Sequence, residues 1–210
     1  MVPVVEYVLS IVMILTSLMI LRCRDIVRAS RIYIAQTLAL IGVFLCTAVR
    51  YPWFYAWAGS AAITKAFLAP YLITWAARKT RVYEVEDPYL GDSASLVIAF
   101  ILVAISFGAM EAARIADPVF MGVSLSLAMI GMLVIVSRRN ILKQIFGFLY
   151  FENGSHLALA VLAPEIPETV DVGIATDAIV LILILCIIAR HIYRELGSLN
   201  ADLLTVLKYS

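Results

Sequence analysis

Charge is what this sequence has least of. Only 15% of its 210 residues are Asp, Glu, Lys or Arg, against 63% hydrophobic residues, and the mean hydropathy is +0.99. A soluble domain of that composition could not cover its surface with polar groups, so an integral membrane protein is implied. The formal balance of +1 carries no signature of nucleic-acid binding. Cysteine is as sparse. Cys23, Cys46 and Cys186 fall on separate predicted helices or at their ends, without the paired spacing that zinc, an iron-sulfur cluster or a disulfide needs. Any redox centre therefore belongs to another chain. The first apolar run has no basic stretch before it and no small-residue cleavage pattern after it, while Arg22 and Arg24 follow, so it reads as a retained anchor.

What the chain has in place of charge is seven apolar runs long enough to cross a bilayer, near 3–21, 32–49, 53–77, 94–113, 118–137, 141–163 and 170–193. They predict an all-α, polytopic membrane protein of about seven transmembrane helices, with short connections that pack neighbours antiparallel. Thirteen basic residues collect on one side: Arg22, Arg24, Arg28, Arg31, Arg78, Lys79, Arg81, Arg138, Arg139, Lys143, Arg190, Arg194 and Lys208. The other side has only Arg50 and Arg114. Because cytoplasmic loops are enriched in Lys and Arg, the N-terminus is predicted outside and the C-terminus in the cytoplasm of a multi-pass protein of the cell inner membrane. Glu165, Glu168 and Asp171 then form an acidic outer loop.

One polar stretch, RKTRVYEVEDPYLGD from Arg78 to Asp92, reads as a surface loop because of its charges and Pro88. It divides the chain into a three-helix unit, 1–77, a loop and fourth helix, 78–117, a second three-helix unit, 118–195, and an amphipathic cytoplasmic tail, 196–210. RCRDIV after the first helix echoes SRRNIL after the fifth, as a parallel repeat would. In the tail, Leu196, Leu199, Leu203 and Leu207 would line one stripe of a short helix.

The informative residues are the ionisable ones inside the runs. Glu152 lies about twelve residues, roughly 18 Å, into the sixth helix, near the midplane, and Asp177 lies roughly 10 Å below the outer surface in the seventh. Lys65 sits mid-helix in the third, too far from either end to snorkel. A charge at the bilayer centre costs about 2.5–3.5 kcal/mol, so such groups have partners or a task. Burial disfavours the charged form of each, which lets each exist neutral and exchange a proton. His156 is one turn beyond Glu152 on the same face, Asn153 is adjacent, and Lys143 lies nearer the cytoplasm, so exchangeable groups climb this helix. The bland alternative is a static tie between Lys65 and a carboxylate. Asn153-Gly154-Ser155 matches a glycosylation acceptor but lies too deep for one.

Softer signals complete the reading. Pro70 would free a carbonyl near position 66 and kink the third helix beside Lys65. Trp53, Trp57 and Trp75 read as interfacial belt residues, Glu111 and Arg114 as an interfacial ion pair, and Asp117 as an N-cap before Pro118.

The segment RRNILKQIFGFLYFENGSHLALA, 138–160, resembles the second helix and its entry loop in the three-helix K subunit of respiratory complex I. Over nearly its whole length the chain is similar to the hydrogenase-4 component E family, longer relatives found in membrane-bound nickel-iron hydrogenases and formate hydrogenlyases. The likeness is carried by Glu152-Asn153-Gly154, by Asp177, by TKAFLAPYL around Lys65 and by GSLNADLLTVL in the tail. Set without gaps from Arg138 and Arg139, the K subunit's first membrane glutamate falls on Leu149, one turn before Glu152, and its second is replaced by Asp177. The resemblance implies a non-catalytic membrane-arm subunit of a complex I-like hydrogenase. Its partners would be antiporter-like and anchor membrane subunits and peripheral hydrogenase subunits. The nickel-iron centre and iron-sulfur clusters would sit in those partners and no cofactor in this chain. Glu152, Asp177 and Lys65, with Lys143, His156 and Asn153, are the candidate ion-translocating residues. A small-molecule permease built on two three-helix repeats, or a purely structural scaffold subunit, would use the same layout.

Overall fold

The computed structural model describes residues 2–84, 88–115, 117–162, 164–165 and 168–203, without the side chains of 2, 3, 168–172, 174, 175, 177 and 178. These residues form seven helices and no strand longer than an isolated bridge: α1 (Val2–Arg22), α2 (Ile26–Ala48), α3 (54–80), α4 (Asp92–Ala112), α5 (Pro118–Ser137), α6 (Ile141–Leu162) and α7 (Glu168–Leu196). Five of them, α1, α2, α4, α5 and α6, are long and apolar enough to cross a bilayer. The all-helical polytopic architecture expected from composition is thus the observed one. Helix α3 is divided by a π-helical segment, Ala62–Leu68, and α7 is the longest at 29 residues.

Helix α6 is the centre of the bundle, flanked by α5, α2 and α7, while α1 packs on α2 and α5, and α7 runs along α3. Helix α4 touches only α5 and α1 among its larger contacts and turns Val97, Phe100, Ile101 and Ile105 outward, as a lipid-facing helix does. Two apolar cores share the interior. The one at the basic end contains Ile20, Tyr33, Phe146 and Tyr150, and the one at the opposite end contains Phe44, Phe54, Trp57 and Leu157. Along α6 the first ends at Tyr150 and the second begins at Leu157. Between them stand Glu152, Asn153 and His156.

The α5–α6 contact is close because small residues face each other across it. A Cβ on Gly131 would stand 2.5 Å from the Phe151 backbone nitrogen, and one on Gly147 would stand 2.7 Å from the Gly131 carbonyl oxygen. Ser124 Oγ donates to the Gly154 carbonyl at 2.7 Å in the same seam. Backbones meet this way where membrane helices lack a hydrophobic drive to associate. Gly147→Leu is therefore expected to force α5 from α6 and remove the chain from the membrane complex on a native gel, whereas Gly108→Leu, which meets nothing within 4 Å, leaves it in place.

Two turns at the basic end are built alike. Between α1 and α2, Asp25 caps α2 by accepting from Arg28 N at 2.6 Å, and Ile26 N donates to Tyr83 O at 2.9 Å. Between α5 and α6, the Asn140 side chain accepts from Leu142 N at 2.9 Å, and Ile141 N donates to Leu199 O at 3.2 Å. The chain leaves α3 through Arg81 at φ 56° and α7 through Gly197 at φ 67°, then pairs Glu84 with Asp25 and Asn200 with Asn140. Each turn is clipped by the segment following the third helix of its own triplet. A buried cation also holds this end: Arg138 donates to Asp92 at 3.3 Å, and burial lowers its pKa while Asp92 raises it.

Several expectations change here. Trp57 is not an interfacial residue but fully buried, wedged edge-on to Phe44 and against Phe54, because its face of α3 turns inward. Asp117 precedes Pro118 at φ 56° and makes no side-chain capping bond, since that left-handed backbone turns it from the helix. Among the described residues no ion pair joins Glu111 to Arg114. Glu168 and Asp171 stand on α7 itself, not in the preceding loop. Of the tail, Leu199 is buried in the core and Asp202 pairs with Arg139 at 3.1 Å, while 204–210, with Leu207 and Lys208, lie outside the described residues.

Candidate functional site

The site begins with a defect in α3. Pro70 has no N–H to close an ordinary helical turn, and the chain before it takes the wider π form, in which Ala69 N donates to Thr64 O. Lys65 sits in that segment and is 3% exposed. π-Bulges re-aim side chains and cluster at functional sites. The side chain of Lys65 reaches α6.

There its ammonium meets three groups at once: Glu152 Oε1 at 3.1 Å, Asn153 Oδ1 at 3.1 Å and His156 Nδ1 at 2.9 Å. Asn153 Oδ1 and His156 Nδ1 are at hydrogen-bonding distance from the ammonium, and Glu152 Oε1 pairs with its charge. All four side chains are buried, Asn153 completely. Asn153 hands the network on, donating to Gln36 Oε1 on α2 at 3.1 Å, and Gln36 donates to Ser17 Oγ on α1 at 2.8 Å. Four helices are thus tied through one polar line. His156 Nδ1 also lies 3.1 Å from the Glu152 carbonyl oxygen and 3.8 Å from Glu152 Oε1.

The two closest contacts of Nδ1 exclude each other. Against an ammonium Nδ1 must accept, leaving the ring proton on Nε2, and against a carbonyl it must donate. The position of the ring proton therefore follows the charge of Lys65. Among the described residues neither Glu152 oxygen has a hydrogen bond of normal geometry, Oε1 being held by the ion pair alone.

Of the sequence candidates, Lys65, Glu152, Asn153 and His156 converge. Lys143 does not join them. It is fully buried two turns and more below, donating to the Cys23 carbonyl at 2.8 Å beneath the Phe146 ring. Asp177 belongs to α7, which packs along α3, but its side chain lies outside the described residues. Gln36, Ser17 and Tyr33 are participants the sequence reading passed over. Gln36 had a signal, being the one amide in the apolar run 32–49, whereas a serine or tyrosine in a membrane helix announces nothing. Tyr33 stands within reach of the Glu152 charge and of Thr37 and Asn153. Among the described residues no three His, Cys, Asp or Glu side chains gather as a metal site would require.

Beyond His156, at the end opposite the basic residues, a cavity of about 450 Å³ opens between α1, α2, α5 and α6, lined by Glu6, Cys46, Arg50, Asp117, Leu157 and Ala160 among others. It starts one residue after the histidine.

Residues 119–209 match the family model of NADH-ubiquinone/plastoquinone oxidoreductase chain 4L. With five helices long and apolar enough to cross a bilayer, the chain is of the multi-pass membrane class, and its C-terminal part is similar to that complex I subunit. It is 36% identical over 204 residues, covering 93% of this chain and 94% of the relative, to hydrogenase-4 component E of Escherichia coli strain K12, and equally to those of Escherichia coli O157:H7 and Shigella flexneri. The chain belongs to the hydrogenase-4 component E family. No solved structure matches it.

Proposed function

We propose that this protein is a membrane-arm subunit of a complex I-like, membrane-bound nickel-iron hydrogenase of the formate hydrogenlyase kind, in the inner membrane, and that it moves ions across its midplane as electrons pass through peripheral partners. The nickel-iron and iron-sulfur centres belong to those partners. The observation that carries the reading is the Lys65 ammonium bound at once to a buried carboxylate, an amide and an imidazole. A proton passing from Lys65 Nζ to His156 Nδ1 crosses 2.9 Å, and the resulting imidazolium donates to the Glu152 carbonyl. When His156 in turn gives up that proton, Glu152 has lost its counter-charge and takes a proton itself. Asp177 is the second carboxylate of the path, Asn153 orients Lys65, and Lys143 serves the basic end. Protons are the proposed ion, with sodium as the alternative cargo. The units 1–77, 78–117, 118–195 and 196–210 are read as two parallel triplets around α4, supported by the two like-built turns.

The test is a purified complex in liposomes with an enclosed pH dye. A nickel-iron catalytic chain is expected to co-purify, and His156→Gln is expected to lower proton movement per turnover while the peripheral subunits keep their activity with a soluble dye. A chain that purifies alone and binds a solute would instead be a permease. Unchanged pumping in every isosteric variant would make it a scaffold.

The outer cavity supplies a check on orientation. With Cys23→Ser and Cys186→Ser removing the other two thiols, Cys46 is expected to react with a membrane-impermeant maleimide from the outside of intact cells, and Asp117→Cys likewise. Labelling only from the cytoplasmic side would invert the topology.

A further inference from the structure

Three hydroxyls on α2 make none of the hydrogen bonds of the network just described, although Tyr33 stands at its edge. Ser30 Oγ, Tyr33 Oη and Thr37 Oγ1 are each buried, with 4%, 0% and 0% of the residue exposed, and each lacks a hydrogen bond of normal geometry among the described residues. They stand three and four residues apart, so they share one face of the helix at rises of about 4.5 and 6 Å. The Tyr33 hydroxyl is already within side-chain reach of Thr37 and Asn153, and bridging water would join it to Ser30. A buried hydroxyl without a partner costs about 1–3 kcal/mol, and three in a row on one face point to a common cause, ordered water between them.

The column has two defined ends. Ser30 is in the first turns of α2 at the basic end, beside Arg28 and Arg31 in the chain. Thr37 stands eleven residues beyond Ile26, and Glu152 eleven beyond Ile141, so both lie about 16 Å in from the same end. Tyr33, between, feels the Glu152 charge and lies against Thr37 and Asn153. The opposing surface of α6 carries Phe146 and Tyr150, whose rings pack on Tyr33, and the buried Tyr150 hydroxyl turns away to the Thr16 carbonyl at 3.4 Å. The α2 hydroxyls are the polar way through an otherwise aromatic layer.

We propose that Ser30, Tyr33 and Thr37 with intervening waters form the proton-conducting column from the basic end to Glu152 Oε2. The proposal rests on the reading that Glu152 exchanges the proton. At each hydroxyl one O–H bond forms as another breaks, and the proton that reaches Glu152 is replaced by one entering at Ser30. No oxidant or reductant is needed. Helix α2 lies outside residues 119–209, so the column belongs to the part of the chain beyond the chain 4L match.

The experiment measures proton movement by the purified complex in liposomes for Tyr33→Phe, Thr37→Val, Thr37→Ser and Glu152→Gln. Tyr33→Phe and Thr37→Val, which keep shape and remove one hydroxyl, are expected to slow it on the order of tenfold with an enlarged solvent deuterium effect, as loss of one hydrogen bond in the path requires. Thr37→Ser restores the rate, which a packing role would not. Normal rates in both hydroxyl deletions with a dead Glu152→Gln overturn the column and leave the Glu152 reading standing. Normal rates in Glu152→Gln overturn both. Subunit content of each complex, read on a native gel, separates slowed conduction from lost assembly, and slowing that tracks lost subunit also overturns the column.

Discussion

Replacing Lys65 with methionine is expected to destabilise the chain by about 3–5 kcal/mol, the usual effect of stranding one partner of a buried ion pair. The size follows from the surroundings. Glu152 is 7% exposed, its Oε1 is paired with the ammonium at 3.1 Å and stands 3.8 Å from His156 Nδ1, and no described group bonds Oε2. The measurement is thermal dissociation of the purified complex, followed by retention of this subunit. Adding Glu152→Gln to Lys65→Met removes the stranded charge and is expected to return most of the lost stability, since an ion pair replaced on both sides is often near neutral. A double variant no more stable than the single one would show that Lys65 and Glu152 are not coupled.

The second large effect separates architecture from transport. Glu152→Gln keeps the volume and a hydrogen-bonding side chain but cannot exchange a proton, so ion movement coupled to turnover is expected to fall on the order of 10²–10⁴-fold, the range for losing a positioned acid-base group. Assembly changes far less, because the amide oxygen still accepts from Lys65. The double variant that recovers stability must stay uncoupled. If it pumps, the pair is a structural tie and the ion path lies elsewhere.

The sequence carried much of this site, and the residues show why. Lys65, Glu152 and His156 were legible because ionisable groups are rare inside apolar runs and costly there, so each stands out against its neighbours. Asn153 was legible by adjacency. Lys143 was legible as an exchangeable group nearer the cytoplasm but not as a buried and separate one, since spacing along α6 cannot tell that the Phe146 and Tyr150 layer lies between it and Glu152. Trp57 misled because an aromatic near a span end is interfacial on one face of a helix and core on the other, and the helix's rotation is set by what it packs against. The π segment was half visible. Pro70 announces a missing hydrogen bond, but whether the helix kinks or widens depends on the neighbour that receives its side chains.

Composition and the spacing of apolar runs alone determined that this is an all-helical membrane protein with charges held in its interior, because bilayer thickness and the cost of a bare backbone in lipid allow little else. Pairwise identity of the partners was decided only in three dimensions. A lysine on one helix and an amide on another become a single network only when the glycine seam of α5 and α6 and the widened turn of α3 bring them within 3 Å or so of each other, and no local pattern encodes distances between segments about ninety residues apart.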